Sequence, residues 1–356
     1  MTHRIDPHNR LALLMHGNVV GPYGKMGMGL LRYSPAEIAA VIDRDTAGQD
    51  ITILTGIPRP TPIVPSVHEA LRLGADILVL GVATPGGVIP ADFWAEIHAG
   101  LEAGLSLVNG LHAPLASQAD LVGRLRPGRF IWDVRKEPPN LTTGSMRAAS
   151  LAVRRVLTVG TDMAIGKMTA AIEMDRVARQ RGLRSRFLAS GQIGICIAGE
   201  GVALDAVRVD FASGAVEKLV LDLSQDCDVV MVEGQGSLLN PASTAWLPLI
   251  RGCCPTDMIL SHRVGQTSLL RAPWVQIPPL PTVIALYESI CAAGGALPPA
   301  KVKGLALITK GLDEEAARRA LAEASEATGL PATDVVRFGA GVLVDALHLQ
   351  PSPALP

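Results

Sequence analysis

The stretch VGTDMAIGKMT, Val159–Thr169, decides the fold of its half of the chain. A β-branched run, Val156–Val159, leads into a loop from Gly160 to Gly166 (Thr161, Asp162, Met163, Ala164 and Ile165 between them). Lys167 then opens KMTAAIEMDRVARQRG, whose spacing predicts a helix closed by a glycine. Strand, glycine loop, lysine and helix in that order describe a phosphate-binding loop. Backbone N–H groups at the helix start face an anion, and Lys167 adds a point charge. The same residues would also serve a plain tight turn, but Gly160, Gly166, Lys167 and Thr169 all agree with the anion-binding context. Met168 stands where a Ser or Thr hydroxyl ordinarily holds Mg²⁺. A thioether is a poor ligand for so hard a cation. Either Glu233 and Asp162 carry a metal between them, or the loop grips a phosphate that is bound and never transferred. The second reading is preferred, and no metal is expected.

Working outward, VVMVEGQGSLLNP is a buried strand ending in Glu233, followed by Gly234, Gln235 and Gly236. An acid at the carboxyl end of a central strand lies where α/β sheets bind ligands; a salt-bridged or helix-capping carboxylate is the plainer alternative. Further strands fit Ser185–Ala189, Met258–Ser261 and Leu305–Ile308, and DEEAARRALAEASEATG is a strong amphipathic helix closed by Gly329. In the first half, strands fit Leu11–His16, Ile38–Ile42, Ile77–Val82, Ser106–Val108 and Phe130–Trp132. Between them SVHEALRLG and DFWAEIHAGLEAG have helical spacing and end at glycines. Short β-branched runs alternating with amphipathic helices from end to end predict an α/β protein with two parallel-sheet domains. The Pro-, Thr-, Ser- and Gly-rich segment RKEPPNLTTGSMRAAS, Arg135–Ser150, places the boundary, giving domains 1–150 and 151–356.

Composition limits the function classes. The chain has 356 residues and a net charge of −1, so no field favours nucleic acid or an anionic membrane. Aromatic residues are few (3%) against a 48% hydrophobic content, which suits buried parallel strands. Five cysteines without a CxxC pair argue for reduced, buried thiols and a cytoplasmic protein. The opening residues do not read as a signal peptide, and no apolar run is long enough to span a bilayer. A soluble protein is expected, acting on a small molecule and assembling as a homo-oligomer.

In the first half, HGNVVGPYGKMGMGLLRYS (His16–Ser34) is glycine-rich but lacks G-x-G-x-x-G, because Arg32 stands at the third glycine position. Asp43 ends the second strand, where a Rossmann acid would meet a ribose hydroxyl. Alternatively, Lys25 and Arg32 together clamp a substrate carboxylate, the arginine in bidentate fashion. ATPGG (Ala83–Gly87) and NGLH (Asn109–His112) leave strands at the same sheet edge, and His112 and His262 are candidate bases beside Glu233. A core or capping histidine is the alternative at both positions. His68 and His98 fall in helical patterns and are expected to be solvated.

The phosphate loop and the V-E-G-x-G strand end resemble those of dethiobiotin synthetase. GTDMAIGKMT, SGQIGICIAGEGVALDAVRVDFASGAVE, VEGQGSLLNPAS and VNGLHAPL together resemble a two-domain bacterial and archaeal family long labelled as a domain of unknown function. That family pairs a Rossmann-like N-terminal domain with a P-loop C-terminal domain and includes D-glutamate N-acetyltransferases. The resemblance implies acetyl-CoA as donor and a D-amino acid as acceptor. It places Gly160–Thr169 on a donor phosphate with Glu233, Gly234 and Gln235 beside it. Gln192 in SGQIG and Asp205 in ALDAV would complete the pocket. Ile193 and LNPASTAWLP depart from the acetyltransferase pattern and point to a sister branch. An ATP- and Mg²⁺-dependent ligase or kinase acting on a carboxylate is the alternative chemistry, and a non-catalytic nucleotide-binding subunit the alternative class.

Overall fold

The computed structural model describes residues 5–350. Contacts divide them into two compact units. One runs up to Glu137 and also includes Gln192–Ala206; the other comprises Pro138–Gly191 and the chain from Val207 onward. The short segment Gln192–Ala206 thus leaves the sequence of the second unit and packs with the first.

The first unit contains strands β1 (Arg10–Leu14), β2 (Glu37–Ile42), β3 (Ile63–Val64), β4 (Ile77–Leu80), β5 (Ser106–Asn109) and β6 (Ile131–Asp133). All pairings are parallel, in the order β3-β2-β1-β4-β5-β6. Helices α1 (Lys25–Tyr33), α2 (Ile51–Thr55), α3 (Val67–Arg72), α4 (Phe93–Ala103) and α5 (Ala119–Gly123) connect them. Strand residues are buried on both faces, as the continuous apolar runs require when helices cover a parallel sheet. Leu78, Leu80, Phe93, Ile97, Leu101 and Leu107 form the centre of the core. Gly104 ends α4 in the left-handed region, φ +94°, at the glycine stop that the sequence marks.

The second unit contains β7 (Arg154–Gly160), β8 (Ser185–Leu188), β9 (Val229–Val232), β10 (Asp257–Arg263), β11 (Ser268–Leu269), β12 (Ala272–Gln276), β13 (Lys301–Ile308) and β14 (Ala332–Thr333). Its helices are α6 (Lys167–Gln180), α8 (Val209–Leu223), α9 (Trp246–Cys253), α10 (Leu280–Ala292), α11 (Glu314–Thr328) and α12 (Gly341–Ala346), while α7 (Gln192–Ala198) belongs to the first unit. The parallel sheet has the order β14-β13-β10-β7-β9-β8, so the strand that feeds the phosphate loop is internal, with β10 and β9 on either side. Helix α11 is capped at its start by Asp313, whose carboxylate accepts from the Ala316 N–H at 2.8 Å, and at its end by Gly329.

The two-residue strands β3 and β14 and the antiparallel ribbon β11–β12 have no counterpart in the sequence reading. Strands β3, β11 and β14 have only two residues, too few for a period of two to show, and β12 carries a proline at its second position. No helix among the described residues is long and apolar enough to cross a membrane.

Candidate functional site

Helix α6 starts directly at Lys167, with Gly166 as its cap residue at φ +88° and no capping side chain. Its first N–H groups therefore point out of the helix at the carboxyl edge of the sheet. Lys167 is 6% exposed, and its Nζ donates to the Asp162 carbonyl at 2.7 Å. Its stem passes between two glycines: a Cβ on Gly160 would lie 3.3 Å from Lys167 Cδ, and one on Gly234 would lie 3.0 Å from it. A Cβ on Gly234 would also collide with the Thr158 carbonyl. The G-x-G after Glu233 is thus explained by close approach, with the Gly234 N–H donating to Thr158 Oγ1 at 2.8 Å. Burial lowers the Lys167 pKa to about 8, against the opposing pull of Asp162 and Glu233.

Glu233 is buried, and its Oε2 accepts from the N–H groups of Ser190 (2.9 Å) and Gly191 (3.2 Å). Asp162 is more heavily engaged. Its Oδ1 accepts from the Met163 N–H (2.7 Å) and Asn240 Nδ2 (2.8 Å), its Oδ2 from Gln266 Nε2 (2.7 Å) and the Leu270 N–H (2.9 Å). Burial alone would raise its pKa, but the Leu270, Asn240, Met163 and Gln266 donors together hold it below the usual carboxylate range. The expectation that Asp162 and Glu233 share a metal meets this difficulty: Asp162 already accepts four protein donors. Among the described residues no group of three or more His, Cys, Asp or Glu is placed to hold a metal ion.

The loop is braced by residues that the sequence reading passed over. Tyr287 Oη donates to the Gly160 carbonyl at 2.8 Å and accepts from the Leu238 N–H at 3.1 Å. Ser237 Oγ donates to the same carbonyl at 2.9 Å. Thr161 Oγ1 and His262 Nδ1 are hydrogen-bonded at 2.9 Å, and burial drives the His262 pKa down to about 4. His262 is therefore neutral across the physiological range. Thr158, Lys167, Gly234, Gln235, Trp246 and Tyr287 line a narrow, partly open cleft. Gln235 Oε1 is buried there without a hydrogen-bond partner. Met163, Met168 and Thr169 are half-buried, Ile165 is buried, and Ala164 is exposed at φ +54°.

In the first unit the candidate residues have the following placements. Arg32 lies in the last turn of α1, and that helix runs back from the carboxyl edge of the sheet toward the start of β2. It is two turns from Lys25, a rise of roughly 10 Å. Lys25 opens α1 at the ligand-binding edge; Arg32 does not share it. Asp43, expected to meet a ribose hydroxyl, is buried and accepts from the Gly17 N–H (2.8 Å), the Asp45 N–H (3.3 Å) and Thr46 Oγ1 (2.8 Å). Asn109 is consumed in the same way, donating to the Ala113 carbonyl and Asp133 and accepting from the Leu111 N–H. The glycines of the His16–Ser34 loop serve packing, as at Gly27, where a Cβ would strike the Met15 side chain.

Gln192 and Asp205, expected beside the phosphate loop, lie at the two ends of the segment that packs with the first unit. A Cβ on Gly110, just past β5, would come within 3.3 Å of Gln192 Cγ. Asp205 is ion-paired with Arg135, whose Nε donates to the Gly110 carbonyl at 2.7 Å. Arg135, read from sequence only as the start of a boundary segment, is therefore a cation that meets Asp205 beside Gly110, just past β5. His112 is exposed at this edge, against Gly87. A second cluster joins the buried His16 and Glu96 to the exposed Arg44. His16 Nδ1 accepts from the Arg44 N–H (3.2 Å), and its Nε2 lies 3.3 Å from Glu96 Oε1. Burial opposes the Glu96 charge, but His16, the Val67 N–H and Arg44 hold its pKa below the usual range. Both imidazole nitrogens are occupied, which gives His16 a structural role. His68 is exposed, and His98 faces Asp120 at 3.4 Å.

A Rossmann-like sheet and a phosphate-loop sheet in one chain define a two-domain P-loop protein. The Rossmann-like domain model of the DUF1611 family matches residues 44–137 and its P-loop domain model residues 142–344, both described as domains of unknown function. The chain belongs to this family. A crystal structure of a DUF1611 family protein from Anabaena variabilis is 56% identical and superimposes with a TM-score of 0.94, covering 96% of this chain and 99% of that one. A protein of Tritonibacter scottomollicae named D-glutamate N-acetyltransferase is 37% identical over 284 residues, 79% of this chain and 84% of the relative. One from a Pseudoalteromonas species with the same name is 32% identical over 281 residues, 78% and 83% of the respective chains.

Proposed function

We propose that this protein transfers an acetyl group from acetyl-CoA to the amine of a small D-amino acid such as D-glutamate, with the phosphate loop holding a donor phosphate. The names of the two relatives support acetyl transfer. The observation that carries the role of the loop is its charge arrangement: a buried lysine and the start of α6 form an anion cradle, Met168 replaces the metal-binding hydroxyl, and Asp162 is fully engaged by protein donors. Such a loop suits an anion that is held rather than transferred.

The donor supplies a thioester that a neutral amine can attack. The chain's residues divide the remaining work. Lys167 and the N–H groups of α6 hold the phosphate, and Glu233 keeps the neighbouring Ser190–Gly191 backbone in place. Asp205 with Arg135 offers a carboxylate and a guanidinium in one place, the pair of charges that a zwitterionic amino acid recognises. For removal of the amine proton the candidates are His112, His262 and Glu233. With a pKa of about 4, His262 is a weak base, and its bond to Thr161 suits it better to holding the loop. Among the described residues all five cysteines are free and buried, which fits a reducing compartment, and we place the reaction in the cytoplasm.

The test is release of CoA thiol from acetyl-CoA in the presence of D-glutamate, L-glutamate or no acceptor, with and without EDTA. Thiol release that requires the D-acceptor and survives EDTA is expected. Consumption of ATP–Mg²⁺ with a carboxylate substrate, and no thiol release, would replace this reading with the ligase chemistry.

A further inference from the structure

Asp162 engages two different parts of the second unit with its two polar groups. Its backbone carbonyl accepts from Lys167 Nζ. Its carboxylate accepts from Gln266 Nε2 and the Leu270 N–H, which belong to the ribbon following β10, and from Asn240 in the loop after β9. The ribbon itself is slight. Strands β11 and β12 pair only with each other, through Ser268–Gln276 and Leu269–Ala272. Leu270 and Trp274 are 76% and 79% exposed on it, so little apolar burial holds it down. Leu269 and Ala272 face inward, and the Gln266 side chain is shared between Asp162 and the Ser268 carbonyl (3.0 Å).

We propose that Asp162, Gln266 and Asn240 are positioning residues for the phosphate loop, and that anion binding is coupled through Asp162 to the order of the ribbon at residues 264–277. This inference rests on the phosphate-binding reading of the loop. A phosphate oxygen is a stronger partner for the Lys167 ammonium than a neutral carbonyl, because both partners are charged. Occupation of the loop therefore draws Lys167 from the Asp162 carbonyl, and the Asp162 backbone must hold its place through its carboxylate alone. The four donors there fix it. The loop consequently binds best when Gln266 and Leu270 are seated. By thermodynamic linkage an anion that favours the seated state must favour the ribbon's order by the same factor. The Leu270 N–H reports this directly, since it is protected only while bonded to Asp162.

The experiment uses the full chain, with inorganic pyrophosphate and CoA as probes. Hydrogen exchange of the peptide covering residues 264–277 is followed with and without probe, and affinities are compared for the wild type, Gln266→Ala and Asp162→Asn. The expected result is at least threefold slower exchange in the ribbon on binding, and at least fivefold weaker binding by Gln266→Ala with its melting temperature little changed. Should Asp162→Asn fail to fold, the exchange measurement on the wild type and the Gln266→Ala affinity still decide. Binding to the wild type with unaltered ribbon exchange and a Gln266→Ala affinity within twofold overturns the coupling and leaves the phosphate-binding reading standing. Failure of the wild type to bind either probe overturns both.

Discussion

Replacing Lys167 with methionine is expected to leave the protein at least as stable while removing its grip on an anion. Burial lowers the Lys167 pKa from 10.5 to about 8. A shift of that size corresponds to roughly 3 kcal/mol of differential interaction between charged and neutral forms. The sign follows from linkage. The unfolded chain holds the lysine proton more tightly than the folded one, so the charge destabilises the fold at every pH below about 8. That penalty fades as pH rises from 8 through 10.5. Methionine keeps the stem between Gly160 and Gly234 and carries no charge, but it forfeits the Nζ bond to the Asp162 carbonyl. A bond of that kind contributes about 1.5–3 kcal/mol. The net change at pH 7 is a gain between zero and about 1.5 kcal/mol, a rise of no more than a few degrees in melting temperature. Pyrophosphate or CoA affinity, by contrast, should fall tenfold or more. A second signature comes from calorimetry in two buffers of different ionisation enthalpy. At pH 9 Lys167 is mostly neutral in the free protein, so anion binding should take up close to one proton, about 0.9 for a pKa near 8. A Lys167→Met protein that melts more than about five degrees lower at pH 7, with a deficit that persists above pH 10, would refute the reasoning.

Donor binding should survive chelation, because Met168 offers no hard ligand and Asp162 is saturated; a hundredfold loss of affinity in EDTA, or a large gain from Met168→Ser, would contradict this. Gly234→Ala puts a methyl into the Thr158 carbonyl and against the Lys167 stem, so stability should drop by roughly 1–3 kcal/mol and anion affinity should fall with it. Unchanged denaturant midpoints would show that the contact is relaxed at no cost. Arg135→Ala should raise the acceptor KM at least tenfold through loss of the Asp205 pair, whereas Arg32→Ala should leave it unchanged. The reverse pattern in steady-state kinetics would restore the α1 clamp.

What the sequence made legible was local. The strand into Gly160, the glycine cap at Gly166 and the helix from Lys167 are neighbours along the chain, and their spacing alone describes an anion site. Helix α11 was equally plain, since Asp313 and Gly329 mark its two ends. The parts that hold the loop in shape were not legible. Tyr287 reaches Gly160 across 127 residues, Gln266 reaches Asp162 across 104, and Asn240 reaches it across 78. A tyrosine in a mostly apolar helix, a glutamine before a short ribbon and an asparagine before a proline have no periodicity to betray them.

In the first unit the sequence pattern and the observed placement differ for another reason, direction rather than distance. Lys25 and Arg32 are seven residues apart and share a helix face, which makes them look like a clamp. In a parallel βα unit, however, only the first turn of the helix lies at the carboxyl edge, so the face that unites them also carries Arg32 away from it. Asp43 and Asn109 do sit at the proper edge, but the sharp turns after β2 and β5 need acceptors and donors of their own and take them from these side chains. A polar residue at a strand end is available to a ligand only when the turn has another means of satisfying its backbone. Gly110 shows the alternative, because its carbonyl is met by Arg135, a residue from beyond β6 that also reaches the returning segment at Asp205. That long-range pair, rather than the residues adjacent in sequence to the glycine-rich loop, brings opposite charges together at the carboxyl edge of the first sheet.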